Sequence, residues 1–214
     1  MNDKAFIFDL DGVLVFTDRY HYEAWKKVAD DKGIYFDEII NNRLRGVSRA
    51  ESLEIILERY DGTLTKSEKA VMMEEKNNIY KELLKQMTEK DVTAQVRETL
   101  DYLRNKGFLL AIGSSSKNAG FILEKVGLKD YFDALSDGNN ISKSKPDPEV
   151  FLKAAELLGK EPEDCIVVED AYAGIDAAKS AGMTAIGIGD ATGYEKADFK
   201  ISSFEELKEI AEGA

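Results

Sequence analysis

Four short and largely apolar runs, Ala5 to Phe8, Phe108 to Ile112, Cys165 to Val168 and Thr184 to Ile188, constrain this chain more than any other feature. A strand wetted on one face alternates apolar and polar residues, whereas a continuous apolar run has to be covered on both faces. Helix signals separate the runs. Val96, Leu100 and Leu103 fall at i, i+4 and i+7, with Gly107 as the stop. Ser116 stands as an N-cap for a helix carrying Ile122 and Val126 up to Gly127, and Asp147-Pro148 reads as a cap followed by proline at the first helical position. Ser203 and Glu206 form a capping box for a last helix. Strand and helix in alternation predict an α/β fold with a Rossmann-like, mainly parallel sheet.

Residues 17–88 break the alternation: they hold no strand-like run and about four helical segments in succession. Ser48 with Glu51 and Thr65 with Glu68 are capping boxes, and Leu53, Ile56, Leu57 and Tyr60 mark one apolar face. This is the pattern of a small helical bundle, a cap inserted after the first strand, with residues 1–16 and 89–214 making the core. The chain then crosses between the two bodies near residues 14 to 18 and 87 to 93, which become candidate hinges. Trp25 reads as cap core.

A chain of 214 residues with 43% hydrophobic content can bury a full core. Its 29 Lys and Arg against 41 Asp and Glu leave a net charge of -12, which repels nucleic-acid backbones and anionic lipid over most of the surface. An anionic metabolite would need its charge met locally, by a metal and a few placed Lys or Arg side chains. The single cysteine, Cys165, has no internal partner and reads as an inert buried thiol; with no signal-peptide pattern and no bilayer-length apolar run, the expectation is a cytoplasmic protein.

On a strand, residues i and i+2 point the same way, so Asp9 and Asp11 are expected to project together from the carboxyl end of the first strand, where open α/β sheets bind ligands. Gly12 lets the backbone turn close to a ligand. Alone, the pair reads more readily as solvated loop acids than as a site. Glu169-Asp170 closes a second apolar strand, and two acid pairs side by side suit magnesium, which takes oxygen ligands. Ser114 follows the strand ending at Gly113, and Lys145 lies in a loop before Pro146.

The ordered set Asp9, Asp11, Ser114, Lys145 and Glu169-Asp170 resembles the haloacid dehalogenase superfamily, with the helical insert where that superfamily places its cap. The likeness spans the whole chain. Gly46-Val47-Ser48-Arg49, Ser114-Ser115-Ser116-Lys117-Asn118, Tyr20-His21 and Trp25 resemble the β-phosphoglucomutase branch. Val168 to Ile175 is similar to related phosphatases too, with Ala171 where Ser is common, and Val15-Phe16-Thr17 departs from the usual polar residue and acid before the Thr.

The resemblance implies that Asp9 is the nucleophile and Asp11 the acid/base, with Ser114 and Lys145 on the transferred phosphoryl group and Thr17 and His21 in supporting catalytic roles. It implies Mg2+ on Asp9, Asp11, Glu169 and Asp170. Gly46, Val47, Arg49, Lys76, Ser115, Ser116, Lys117 and Asn118 are then substrate-binding residues, Arg49 as a clamp on a second phosphate and Ser116 to Asn118 at a helix start suited to anions. The implied reaction interconverts β-D-glucose 1-phosphate and D-glucose 6-phosphate through β-D-glucose 1,6-bisphosphate, in a monomer whose partner is a small sugar phosphate. Bland readings stand beside these. Lys76 sits in the charged string Glu74-Glu75-Lys76, which reads as a solvated helix face, and His21 either orients Asp11 and the cap or packs a helix. A sugar-phosphate or phosphoglycolate phosphatase shares the core residues, and a phospho-aspartate receiver module shares the acids, Ser and Lys but has no use for Asp11 or a cap.

Overall fold

A computed structural model describes residues 4–213; residues 1–3 and 214, the ends of the expected core segments, lie outside them. The order is β1 (Ala5–Phe8), four helices α1 (Asp18–Asp31), α2 (Glu38–Asn42), α3 (Arg49–Leu57) and α4 (Lys66–Leu84), then α5 (Ala94–Asn105), β2 (Leu109–Gly113), α6 (Ala119–Lys125), β3 (Ala134–Ser136) and α7 (Glu149–Leu158). It finishes with β4 (Cys165–Glu169), α8 (Tyr172–Ser180), β5 (Thr184–Gly187), β6 (Phe199–Lys200) and α9 (Leu207–Glu212). The six strands among the described residues are all parallel, in the order β3-β2-β1-β4-β5-β6.

Both faces of the sheet are covered, as the continuous apolar runs require. Phe6, Phe8, Leu110, Ile112, Ile166 and Val168 join one buried cluster with Leu100, Leu103, Ile122 and Leu207 of α5, α6 and α9. The alternate residues Ala5, Ile7, Ala111, Cys165 and Val167 join another with Phe151 and Ala154 of α7 and Ile175 of α8. The period of two along a strand thus divides one run between two interiors. Cys165 is buried, and burial raises its thiol to about 11, as an inert thiol requires.

The insert has its own apolar cluster around Trp25, Val28, Phe36, Leu53, Ile56 and Met72, whereas Tyr80, Leu84 and Met87 pack with the sheet's cluster. The Thr65–Glu68 capping box is complete; at Ser48 only the hydroxyl bond to Glu51 N forms. Both chain crossings are tied down. Gly12 N donates to Val15 O at 2.7 Å, and Thr88 caps a single turn over Glu89–Asp91. Phe16 is 72% exposed between the buried Val15 and Thr17.

The reading of Ser116 as a helix cap does not hold. Its Oγ accepts from Asn118 N at 3.2 Å in the loop, and α6 starts three residues later and runs only seven residues. So short a helix has little dipole to offer an anion, which leaves that task to side chains and the N–H groups of the loop. No helix among the described residues is long and apolar enough to cross a membrane.

Candidate active site

β1 lies between β2 and β4, so the loops leaving these three strands are neighbours at the sheet's carboxyl edge. Asp9, Ser114 and Asp170 begin those loops, and Glu169 is the last residue of β4. Asp9 extends the ladder by donating its backbone N–H to Val168 O at 2.9 Å, and Ser114 does so by donating to Ser136 O at 3.0 Å. Lys145 reaches them from the loop before α7. Its buried ammonium donates to Asp9 Oδ1 and Glu169 Oε1, each at 2.6 Å, and lies over the Phe151 ring at 4.8 Å. Burial alone would lower the Lys145 pKa; the Asp9 and Glu169 carboxylates reverse that and hold it well above the ordinary lysine value.

Two glycines permit this crowding. Gly12, at φ +88°, leaves room where an added Cβ would sit 2.1 Å from Asp170 Oδ2, and a Cβ on Gly174 would sit 1.9 Å from Glu169 Oε1. Oxygens of Asp9, Glu169 and Asp170 lie within 4.8 Å of one another. Burial, then the neighbouring carboxylates, push Asp170 well above the usual carboxylate range. A cluster of carboxylates with no His or Cys is an all-oxygen donor set for a hard divalent ion, whose charge would relieve that crowding. The residues present therefore fit magnesium.

Asp11, expected among the metal ligands, is not in this cluster. Its Oδ1 accepts from the Thr17 hydroxyl, so Thr17, the residue before α1, uses on Asp11 the group that could have capped the helix. Burial, then the charge of Asp9, raise the Asp11 pKa to about 7, against the opposing Thr17 bond. A carboxyl poised there can give or take a proton near neutrality. His21 bonds to Lys76 rather than to Asp11: its Nδ1 is 2.8 Å from Lys76 Nζ and its ring is 4.1 Å from that of Tyr80. Burial, then Lys76 and Arg49, hold His21 well below the ordinary histidine value, so it is a neutral acceptor.

Lys76 is not solvated. It is 2% exposed, over the rings of Tyr80 and Trp25 at 4.3 and 5.4 Å. Burial, then Arg49, lower its pKa to about 7.

Apart from the buried Glu169, the acids and these cationic groups line one cavity of about 540 Å³, the size of a small-metabolite site. Asp9, Asp11, His21, Trp25, Lys76, Ser114 to Asn118, Lys145 and Asp170 line it together with Gly46, Val47 and Arg49 of the insert. Arg45, Arg49, Lys76, Lys117 and Lys145 supply the local positive charge that an acidic chain needs for an anion. Gly46 rests on Ala171, where a Cβ would lie 3.1 Å from the alanine methyl. Asn77 and Arg45 carry no sequence signal. Asn77 Oδ1 accepts from Arg49 Nη2 at 2.8 Å and from Asn118 Nδ2 at 3.1 Å, while Arg45 pairs with Asp18 at 2.5 Å and with Asp190.

A parallel sheet with acids at the edge of its central strand, roofed by a helical insert that enters directly after that strand, defines a capped α/β enzyme core. The sequence model of the haloacid dehalogenase-like hydrolases matches residues 4–182. The beta-phosphoglucomutase of Bacillus subtilis is 42% identical over 207 residues, which is 95% of this chain and 91% of that protein. The phosphorylated carbohydrates phosphatase of Thermotoga maritima is 36% identical over 187 residues, 86% of this chain and 83% of its own. The crystal structure of beta-phosphoglucomutase from Clostridium difficile superposes with a TM-score of 0.89 at 39% identity, covering 98% of this chain and 97% of that one. The chain belongs to the haloacid dehalogenase-like hydrolase family.

Proposed function

We propose that this enzyme is a β-phosphoglucomutase, interconverting β-D-glucose 1-phosphate and D-glucose 6-phosphate through β-D-glucose 1,6-bisphosphate. One observation supports the reading beyond phosphate removal: two groups of side chains suited to anions line the cavity. Lys145 bonds to Asp9 and Ser114 lines the cavity with them, while Arg49 and Asn118 meet at Asn77, with Lys117 beside Asn118 in the chain and also in the lining. A phosphatase has one phosphate to hold, whereas a bisphosphate route requires a grip on one phosphate while the other reacts.

In the proposed cycle Asp9 enters as its acyl phosphate. The sugar's C6 hydroxyl attacks phosphorus, the bond to the Asp9 oxygen breaks, and Asp11 takes the hydroxyl proton. The bisphosphate turns round, and the Asp9 carboxylate attacks the phosphorus at C1. Asp11 returns its proton to the departing O1, releasing the sugar 6-phosphate and regenerating phospho-Asp9. Lys145 holds the Asp9 carboxylate in place and Ser114 binds the transferred group. A magnesium ion held by Asp9, Glu169 and Asp170 would neutralise the oxygens of the transferring group. The insert shuts water out, so that a sugar hydroxyl reaches the acyl phosphate first.

Purified enzyme given Mg2+, β-D-glucose 1-phosphate and a trace of the bisphosphate is expected to accumulate glucose 6-phosphate with little free phosphate. Phosphate release equal to substrate consumed overturns the mutase reading and leaves a sugar-phosphate phosphatase, a function that a relative such as the Thermotoga protein supports.

A further inference from the structure

Asn77 follows Lys76 on α4 inside a polar string, yet is 7% exposed. It is the point where insert and core share a buried hydrogen-bond acceptor. Its Oδ1 takes one bond from Arg49 of α3 and one from Asn118, the residue preceding α6 in the core and itself 5% exposed. The polarity of this trio is forced. A guanidinium only donates, so the oxygen of Asn77 has to face it, and Asn118 then has to present its NH2. Two donors from separate bodies are thereby held around one oxygen atom, at 2.8 and 3.1 Å.

An amide oxygen is a neutral acceptor, and phosphate oxygens accept more strongly from a guanidinium. Arg49 and Asn118 can therefore pass from the amide to an arriving phosphate with little rearrangement, while Asn77 keeps both within reach. Resting on the two-phosphate reading, we propose that Asn77 is a positioning residue that aligns Arg49 with Asn118 into one clamp for the non-reacting phosphate, making the filling of the clamp and the closure of the insert a single event. Its lack of charge is essential, since a carboxylate there would hold Arg49 as an ion pair and repel the phosphate.

The test compares Asn77→Ala, Asn77→Ser and Asn77→Asp in the full-length enzyme. Asp has the shape of Asn and keeps an acceptor for both donors, so a purely architectural role makes Asp the mildest change. The proposal reverses that order. The KM for β-D-glucose 1,6-bisphosphate is expected to rise about tenfold in Ala and about a hundredfold in Asp, with Ser, which keeps a neutral acceptor, below Ala. Acetyl phosphate, which carries no second phosphate, should still phosphorylate Asp9 within about twofold of the parent rate in all three, and this also reports correct folding. An Asp variant whose KM is at or below that of Ala overturns the proposal, as does a parallel fall in the acetyl phosphate reaction. Should the parent enzyme release phosphate instead of forming glucose 6-phosphate, the mutase reading fails alone, because the same KM order can be read with the bisphosphate as a hydrolytic substrate.

Discussion

Replacing Lys76 with methionine should make this protein more stable and less active. The Lys76 side chain is sealed against Tyr80, Trp25 and His21, with Arg49 repelling its charge and Asp11 attracting it. Burial first, then Arg49, bring its pKa from 10.5 to about 7. At about 1.4 kcal/mol per unit, holding the charged form costs the fold at most about 5 kcal/mol. Methionine fills a similar volume and removes that cost, but leaves His21 Nδ1 without its donor, which takes back about 1–3 kcal/mol. The net gain is about 2–4 kcal/mol at pH 6, or roughly 5–12 °C in Tm for a chain of this length.

The sign follows from a depressed pKa. Wild-type stability from this group is present above pH 10.5 and is lost as pH falls toward about 7, so the advantage of Lys76→Met is largest at and below pH 7 and shrinks as pH rises. Urea denaturation of both proteins from pH 6 to 9.5, at fixed Mg2+, measures the difference. Turnover should fall by about 10²-fold, since a buried cation beside the acids is gone. A variant less stable than wild type at pH 6, or an advantage that ignores pH, refutes the reasoning.

Lys145→Met leaves the Asp9 and Glu169 carboxylates facing each other without their shared cation, and is expected to lose about 3–5 kcal/mol in chemical denaturation together with nearly all turnover; a variant of wild-type stability contradicts the buried ion-pair account. Mg2+ should raise Tm in wild type and EDTA should abolish turnover, while Asp170→Asn loses most of the Mg2+-dependent rise; an undiminished rise in that variant places the ion elsewhere. Arg45 ties the insert to Asp190 of the core and to Asp18, so Arg45→Ala should increase the share of turnovers ending in free phosphate about two- to fivefold, the range of an exposed ion pair. An unchanged ratio removes Arg45 from cap closure.

The four strands read from sequence are those covered on both faces, where nearly every position is apolar. β3, three residues long, and β6, two exposed residues, are too short to show any period. Asp9, Ser114, Lys145, Glu169 and Asp170 were legible as residue types at the ends of elements, but their convergence depends on a strand order that brings residues 9, 114 and 169 together. Lys76 misled because its neighbours Glu74 and Glu75 are charged. The usable signal was the spacing Met72, Lys76, Tyr80, Leu84, a buried stripe of period four in which the lysine replaces an apolar residue. For Asp11 the i, i+2 rule gave its direction, into the same cavity as Asp9, but not the hydrogen-bond partner that Thr17 supplies. Nothing local marks Asn77, because its role is set by Asn118, 41 residues away.

The position of β1 has a further consequence, for how the chain is built. β1 is the central strand, with Ala5 paired to Leu109 on one side and to Cys165 on the other. The strand that comes earliest in the chain therefore waits for about half of it before its first neighbour exists, and longer still for its second. Contacts this distant are slow to form, because the loop they close must lose its freedom before the contact repays it. The insert has no such delay, since its cluster from Trp25 to Met72 is local and can consolidate first. Meanwhile Ala5-Phe6-Ile7-Phe8 remains an unpaired apolar strand, prone to aggregate during synthesis. Residues that make a fully covered strand of the finished enzyme are a vulnerable part of the unfinished one.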